Sequence, residues 1–257
     1  MPVIKVFWAT FALSLCYNSQ SMKVYHLHSW QVTIKQAEEI QKSLATKLSL
    51  KNEMVNPRLI AGVDISHPDS RGIASSAIVV LSYPDFTPIE TQTAEGKLTF
   101  PYIPGLLSFR ESPLILAACE KLSITPDLIL VDGQGICHPR GFGLASHLGL
   151  LLNTPTIGCA KSLLYGKHEP VDTKAGSCKE ITDQRAVIGA VLRTKTGISP
   201  IYVSIGHKVD LPTALYWVMA CCRDYRIPEP TRLAHRAASN KALSIPLPTG
   251  QQPELFN

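Results

Sequence analysis

Asp127-Leu128-Ile129-Leu130-Val131-Asp132-Gly133-Gln134-Gly135-Ile136-Cys137-His138-Pro139-Arg140 is the stretch on which the fold turns. It opens with four apolar residues, the pattern of a short strand buried on both faces. The run stops at a carboxylate, Asp132. Gly133 and Gly135 then allow a sharp turn and a close approach of backbone to a ligand. His138 adds an imidazole and Arg140 a bidentate donor for phosphate. An acid at the carboxyl end of a strand, beside a glycine loop and a cation, matches the ligand crevice of an α/β sheet. A plain turn residue after a core strand is the alternative, and two further acids in similar settings weigh against it.

Upstream, Leu59-Ile60-Ala61-Gly62-Val63-Asp64 reads as a second buried strand that ends in an acid. Residues 73–83 and 89–100 are β-rich, and the Tyr83-Pro84-Asp85 turn between them suggests antiparallel neighbours. Pro101 and Pro104 stiffen a loop that presents Tyr102 and Ile103. Ser112 as N-cap and Pro113 as first residue predict a helix to Leu122, with Glu111 at its entrance. Nearer the N-terminus, a Thr33/Gln36 capping box and Ala37, Ile40, Leu44 and Leu48 at helical spacing predict a helix over 33–50.

Downstream, residues 144–152 form a short apolar helix carrying His147. Residues 155–161 make another parallel strand with Lys161 at its exit. Residues 166–181 read as an exposed irregular excursion. Residues 186–194 and 200–205 flank a hairpin signal, and the second of them leads into His207. Asp210 and Pro212 start a closing helix that runs to Cys222. The Pro/Ala/Arg-containing segment 228–257 reads as a loosely packed tail.

A chain of 257 residues with 45% hydrophobic and 18% charged residues can bury a full core and has ordinary globular composition. A net charge of +5 is compatible with a polyanionic partner, though no dense basic block is present. Seven cysteines, an odd number without a CxxC pair, point to reduced thiols and a cytoplasmic protein rather than a disulfide scaffold or zinc site. Residues 1–21 have the shape of a short signal peptide, too short to span a bilayer. Met22 offers a second start. The expected organisation is a misassigned or signal-like extension over 1–21, a catalytic domain over 22–227 and the tail.

A three-stranded meander followed by a helix and parallel strands is the element order of a ribonuclease H-like mixed sheet, an α/β fold. There Asp64 and Asp132 face one crevice and Glu111 reaches it from the helix. Carboxylates that close repel one another unless a cation intervenes, and hard oxygen ligands suit Mg²⁺, or Mn²⁺ in its place. Such a site can hydrolyse a phosphodiester, with His207 and His138 binding phosphate or moving protons and Lys161 neutralising charge. An actin-like phosphotransferase would need a phosphate hairpin after the first acid, and Ile65-Ser66-His67-Pro68 supplies none.

Ala61-Gly62-Val63-Asp64, the 101–111 segment from Pro101 to Glu111, Asp132 to Arg140, Ala145 to Gly149, Ala160 to Gly166 and Ser204 to His207 together resemble the endonuclease V family, in the family's order and across most of residues 22–222. The resemblance implies a deoxyinosine-directed endonuclease that nicks the second phosphodiester bond 3′ to the deaminated base and leaves the lesion in place. It implies Asp64, Asp132 and Glu111 as Mg²⁺ ligands, and His207 as the remaining catalytic group. Lys161 and His138 would serve the phosphate. It also implies a wedge of Pro101, Tyr102, Ile103 and Pro104, and a base pocket lined by Gly105, Leu107 and Gly133. The partner would be DNA containing deaminated bases, bound by a monomer with no membrane association. Alternatives are the same chemistry on inosine in RNA, or a protein that binds lesions without cutting.

Overall fold

The computed structural model describes residues 21–184 and 186–239, so the reading of residues 1–20 lies outside the described residues. Eight strands form one mixed sheet: β1 (Leu59–Ile65), β2 (Ile73–Ser82), β3 (Pro88–Lys97), β4 (Leu128–Val131), β5 (Thr156–Ala160), β6 (Cys178–Asp183), β7 (Ala186–Leu192) and β8 (Ile201–His207). Their order is β3-β2-β1-β4-β5-β8-β7-β6. The meander β3-β2-β1 is antiparallel, β1, β4 and β5 are mutually parallel, and β8, β7 and β6 return antiparallel. This is the ribonuclease H-like α/β architecture that the element order predicts.

Alternation along β1 sorts the two faces of the sheet. Leu59, Ala61 and Val63 join Ile129 and Val131 under α2 (Leu107–Cys119) and α3 (Leu144–Leu152). Ile60 joins Leu128 and Leu130 under α4 (Leu211–Cys221) and α5 (Glu229–Ala238). β4 is buried at all four residues, as its apolar run requires. The remaining helix, α1 (Ile34–Ala45), caps with Thr33 and Gln36 as expected. It covers Phe100, Leu106 and Phe109 beside the sheet.

Three expectations need correction. First, α2 begins at Leu107 rather than at Pro113 after a Ser112 cap, and Pro113 lies inside it. The turn at Pro104-Gly105 already launches the helix, with the Leu106 N–H on Ile103 O at 2.9 Å. Ser112 is therefore a buried helical residue, and Glu111 sits within the helix rather than at its entrance. Second, the polar 166–181 excursion ends in β6, an edge strand with only Ile181 fully buried. A half-exposed edge has no apolar run to betray it.

Third, segment 228–257 is not a loose tail over its described part. α5 packs on β1 and β2 and buries Leu233, Ala234 and Ala238. The fit depends on Gly62, where a Cβ would lie 2.1 Å from the Pro230 carbonyl carbon. The folded unit thus runs on past residue 227 through α5.

Candidate active site

β1 and β4 pair in parallel through Val63↔Val131. The next residue on each strand is an aspartate, so Asp64 and Asp132 stand side by side, about 5 Å apart at the backbone by ordinary strand spacing. Lys161 follows β5, the next parallel strand, and forms an ion pair with Asp132 Oδ2. Glu111 overlooks the same place from α2. Burial, with the nearby charges of Asp64 and Asp132, pushes its carboxyl up to about 8. Burial and the Asp132 charge likewise raise Asp64. Glu111 thus senses both aspartates and Asp64 senses Asp132, which is the electrostatic mark of one shared site.

The fifth member is a residue that sequence reasoning missed. His235, on α5, sets its Nδ1 2.7 Å from Asp64 Oδ2. His207 does not reach this crevice. β8 runs antiparallel to β5, pairing Tyr202 with Ala160 at the carboxylate end and His207 with Thr156 at the other. Five residues of strand separate the two ends by roughly 16 Å. His207 is buried there, its Nδ1 accepting the Ser49 N–H at 3.2 Å. Burial and neighbouring Lys208 hold its ring down at about 4. It is a packing histidine.

Beside the carboxylates lies a cavity of about 110 Å³ whose wall includes Tyr102, Ile103, Pro104, Gly105 and Leu107. Tyr102 projects outward, 72% exposed. Leu144 and Leu164 give the wall an apolar surface. Two polar atoms there are buried with no partner among the described residues: the Ser108 hydroxyl and the Gln134 Oε1. The Gln134 amide N–H donates to Ser162 O at 2.9 Å, so the oxygen is the end left over. Pro101 is not part of this wall. Gly133 lies behind Leu144, where a Cβ would press on that side chain at 3.2 Å.

His138 belongs to the pocket, and neither it nor Arg140 is placed to take a phosphate. The Arg140 N–H donates to His138 Nδ1 at 3.1 Å and the opposite ring nitrogen meets Gly105 O at 2.9 Å. Burial pushes the ring down to about 4, so it is neutral. The Arg140 guanidinium is spent on Gln41, Glu38 and Gly105 O.

Among the described residues no three of His, Cys, Asp and Glu form a preformed metal cage. The donor chemistry nevertheless fits a divalent ion. Asp64, Asp132 and Glu111 offer hard oxygens whose mutual repulsion is offset in part by Lys161, His235 and Arg110. A cation bridging acids at this edge would relieve that repulsion. The six described cysteines carry no disulfide, and no described helix is long and apolar enough to cross a membrane.

A ribonuclease H-like sheet with adjacent acids at its parallel strand ends, a lysine on one and a histidine on the other, defines a nuclease. Residues 42–236 match the Endonuclease V family model, and the chain belongs to that family. Endonuclease V of Rippkaea orientalis is 50% identical over 226 residues, 88% of this chain and 99% of that protein. Among solved structures, endonuclease V from Streptomyces avermitilis superposes with a TM-score of 0.78 at 38% identity, covering 86% of this chain and 97% of that one. Endonuclease V of Ciona intestinalis, solved with a 24mer DNA containing an inosine followed by a ribo-adenosine, gives a TM-score of 0.69 at 30% identity, covering 80% and 96%.

Proposed function

We propose that this chain is a Mg²⁺-dependent DNA repair endonuclease. It recognises a deaminated base, chiefly deoxyinosine, and hydrolyses the second phosphodiester bond 3′ to it. The product is a nick with a 5′-phosphate, the lesion remaining on the nicked strand. The observation that carries the reading is the register of Asp64 beside Asp132, with the buried Glu111 carboxyl coupled to both. The inosine-containing DNA held by the Ciona relative supports the substrate class.

Each residue then has a physical task. Asp64, Asp132 and Glu111 would hold Mg²⁺, or Mn²⁺ in its place, which when bound activates water and steadies charge on the phosphate. Without the ion, burial and the neighbouring acids hold the Glu111 carboxyl at about 8, so taking up the cation would displace its proton. Asp64 orients His235 through Nδ1, leaving its other nitrogen to exchange a proton with the reacting groups. Lys161 offsets charge that develops on the phosphate. Tyr102 fills the stack that the extruded base vacates. The deaminated base pairs poorly, so its extrusion costs less. Its polar edge meets the unpartnered Ser108 hydroxyl and Gln134 oxygen.

The test is cleavage of matched DNA and RNA oligonucleotides, each bearing one inosine, with Mg²⁺ and with chelator, and with product ends mapped. Mg²⁺-dependent nicking at the second bond 3′ to inosine in DNA is expected. Cleavage indifferent to inosine, or undiminished by chelator, would overturn the reading. Faster cutting of RNA would move the same chemistry to the other nucleic acid.

A further inference from the structure

One atom of the loop that carries Tyr102 gathers three hydrogen bonds. Gly105, with φ +81°, turns its carbonyl inward, and three donors converge on that oxygen. They are Gln41 Nε2 at 3.0 Å, His138 Nε2 at 2.9 Å and Arg140 Nη2 at 2.8 Å. A carbonyl oxygen has two lone pairs, so this acceptor is saturated. Gln41, on α1, is wholly buried and uses its whole amide. Its nitrogen also donates to Phe142 O at 2.9 Å, and its oxygen accepts from Arg140 Nε at 2.6 Å. A buried polar network of this kind is stiff when complete and costly when broken.

We infer that Gln41, Arg140 and His138 are positioning residues, a latch on the Gly105 carbonyl that holds the Tyr102 loop rigid so that its ring can displace a stacked base. The inference rests on the wedge reading above. A ring driven into a duplex stack is pushed back by the stack it displaces, so a loop free to pivot at Gly105 would yield instead of wedging. Beyond the latch, Ile103 packs beside Phe100, Leu106 and Phe109, and Arg110 Nη1 donates to Phe100 O, but neither contact fixes the backbone at Gly105. The Tyr102 side chain stands in solvent, and the backbone bond from Leu106 N–H to Ile103 O is local. A single strand offers little stack to resist, so there the latch should matter less.

Gln41→Glu keeps the shape and the bond from Arg140 but removes both N–H donors. Its binding to duplex and to single strand, each with one inosine, is compared in Ca²⁺ with wild type and with Tyr102→Ala. A 2-aminopurine beside the inosine reports unstacking, and thermal midpoints are recorded. The expected result is duplex binding weaker by roughly tenfold, single-strand binding within about threefold, and a reduced 2-aminopurine signal, as for Tyr102→Ala. If Tyr102→Ala is duplex-selective and Gln41→Glu is not, the latch is overturned while the wedge stands. Equal losses on both substrates for Tyr102→Ala would overturn the wedge itself. Should Gln41→Glu melt early, Arg140→Lys carries the same comparison, and a lowered midpoint with an unchanged duplex-to-single-strand ratio would make the network mere support.

Discussion

Gly62→Ala probes whether α5 is part of the catalytic machinery. A Cβ at position 62 would lie 2.1 Å from the Pro230 carbonyl carbon and oxygen and 2.5 Å from the Thr231 nitrogen. Ordinary contact begins near 3.4 Å, so the helix must retreat by about 1.3 Å, the difference between the two distances. The obstacle is backbone, which cannot swing aside, so the cost should fall near the top of the overpacking range, about 3 kcal/mol. The same retreat would lengthen the 2.7 Å contact between His235 and Asp64 to about 4 Å, beyond a hydrogen bond. A displacement of that size in a catalytic contact is worth roughly a hundredfold in rate. Denaturant unfolding and single-turnover nicking of an inosine duplex read the two effects. Gly96→Ala is the control, because its Cβ would meet only the tip of the Leu114 side chain at 3.1 Å. Unchanged stability and rate in Gly62→Ala would refute the seating of α5 and, with it, the place given to His235.

The other expectations concern single groups. His235→Ala should slow cleavage by about two orders of magnitude while leaving lesion binding in Ca²⁺ intact. His207→Ala should spare the chemistry and cost about 1–2 kcal/mol by stranding the Ser49 N–H; the reverse pattern would restore His207 to the site. Asp132→Asn should fold normally yet lose Mg²⁺-dependent nicking by orders of magnitude, and near wild-type turnover would reduce Asp132 to a turn residue. Glu111, at about 8 in the fold against an ordinary 4.5, keeps a proton that the unfolded chain has released between those pH values. Metal-free stability therefore falls as pH rises through that window. Glu111→Gln in chelator should match wild type near pH 4.5 and exceed it by up to a few kcal/mol above pH 8, each pH unit being worth about 1.4. Parallel pH curves would show that the carboxyl is not buried as described.

Asp64, Asp132 and Lys161 could be read from sequence because each ends an apolar run, and a buried parallel strand announces both itself and its exit. Register did the rest, since adjacent strands leave little freedom in where their last residues go. The start of α2 is hidden because Ser112-Pro113 has the chemistry of a helix beginning, whereas Pro104-Gly105 has already turned the chain. α5 was missed because its buried face is built of Ala234, Ala237 and Ala238 with Leu233, residues too small to stand out in a segment containing two prolines and two arginines. Helical spacing of those four, just after Pro230, was the available signal. His207 lies in a family-like motif, but which end of β8 it occupies depends on a strand direction that local patterning does not give.

The distance along the chain between Asp64 and His235 gives the enzyme a temporal order. Some 171 positions separate the two partners of one hydrogen bond, the difference of their numbers. At synthesis rates of about 5–20 residues per second, roughly 10–30 s pass between the appearance of the first and the second. Through that interval the nascent sheet can gather its acids without the histidine that completes them. If His235 takes part in cutting as proposed, a nuclease built this way stays unarmed while it is being made. A message truncated before α5 would yield a chain without His235, its apolar sheet face bare and open to the cell's quality control.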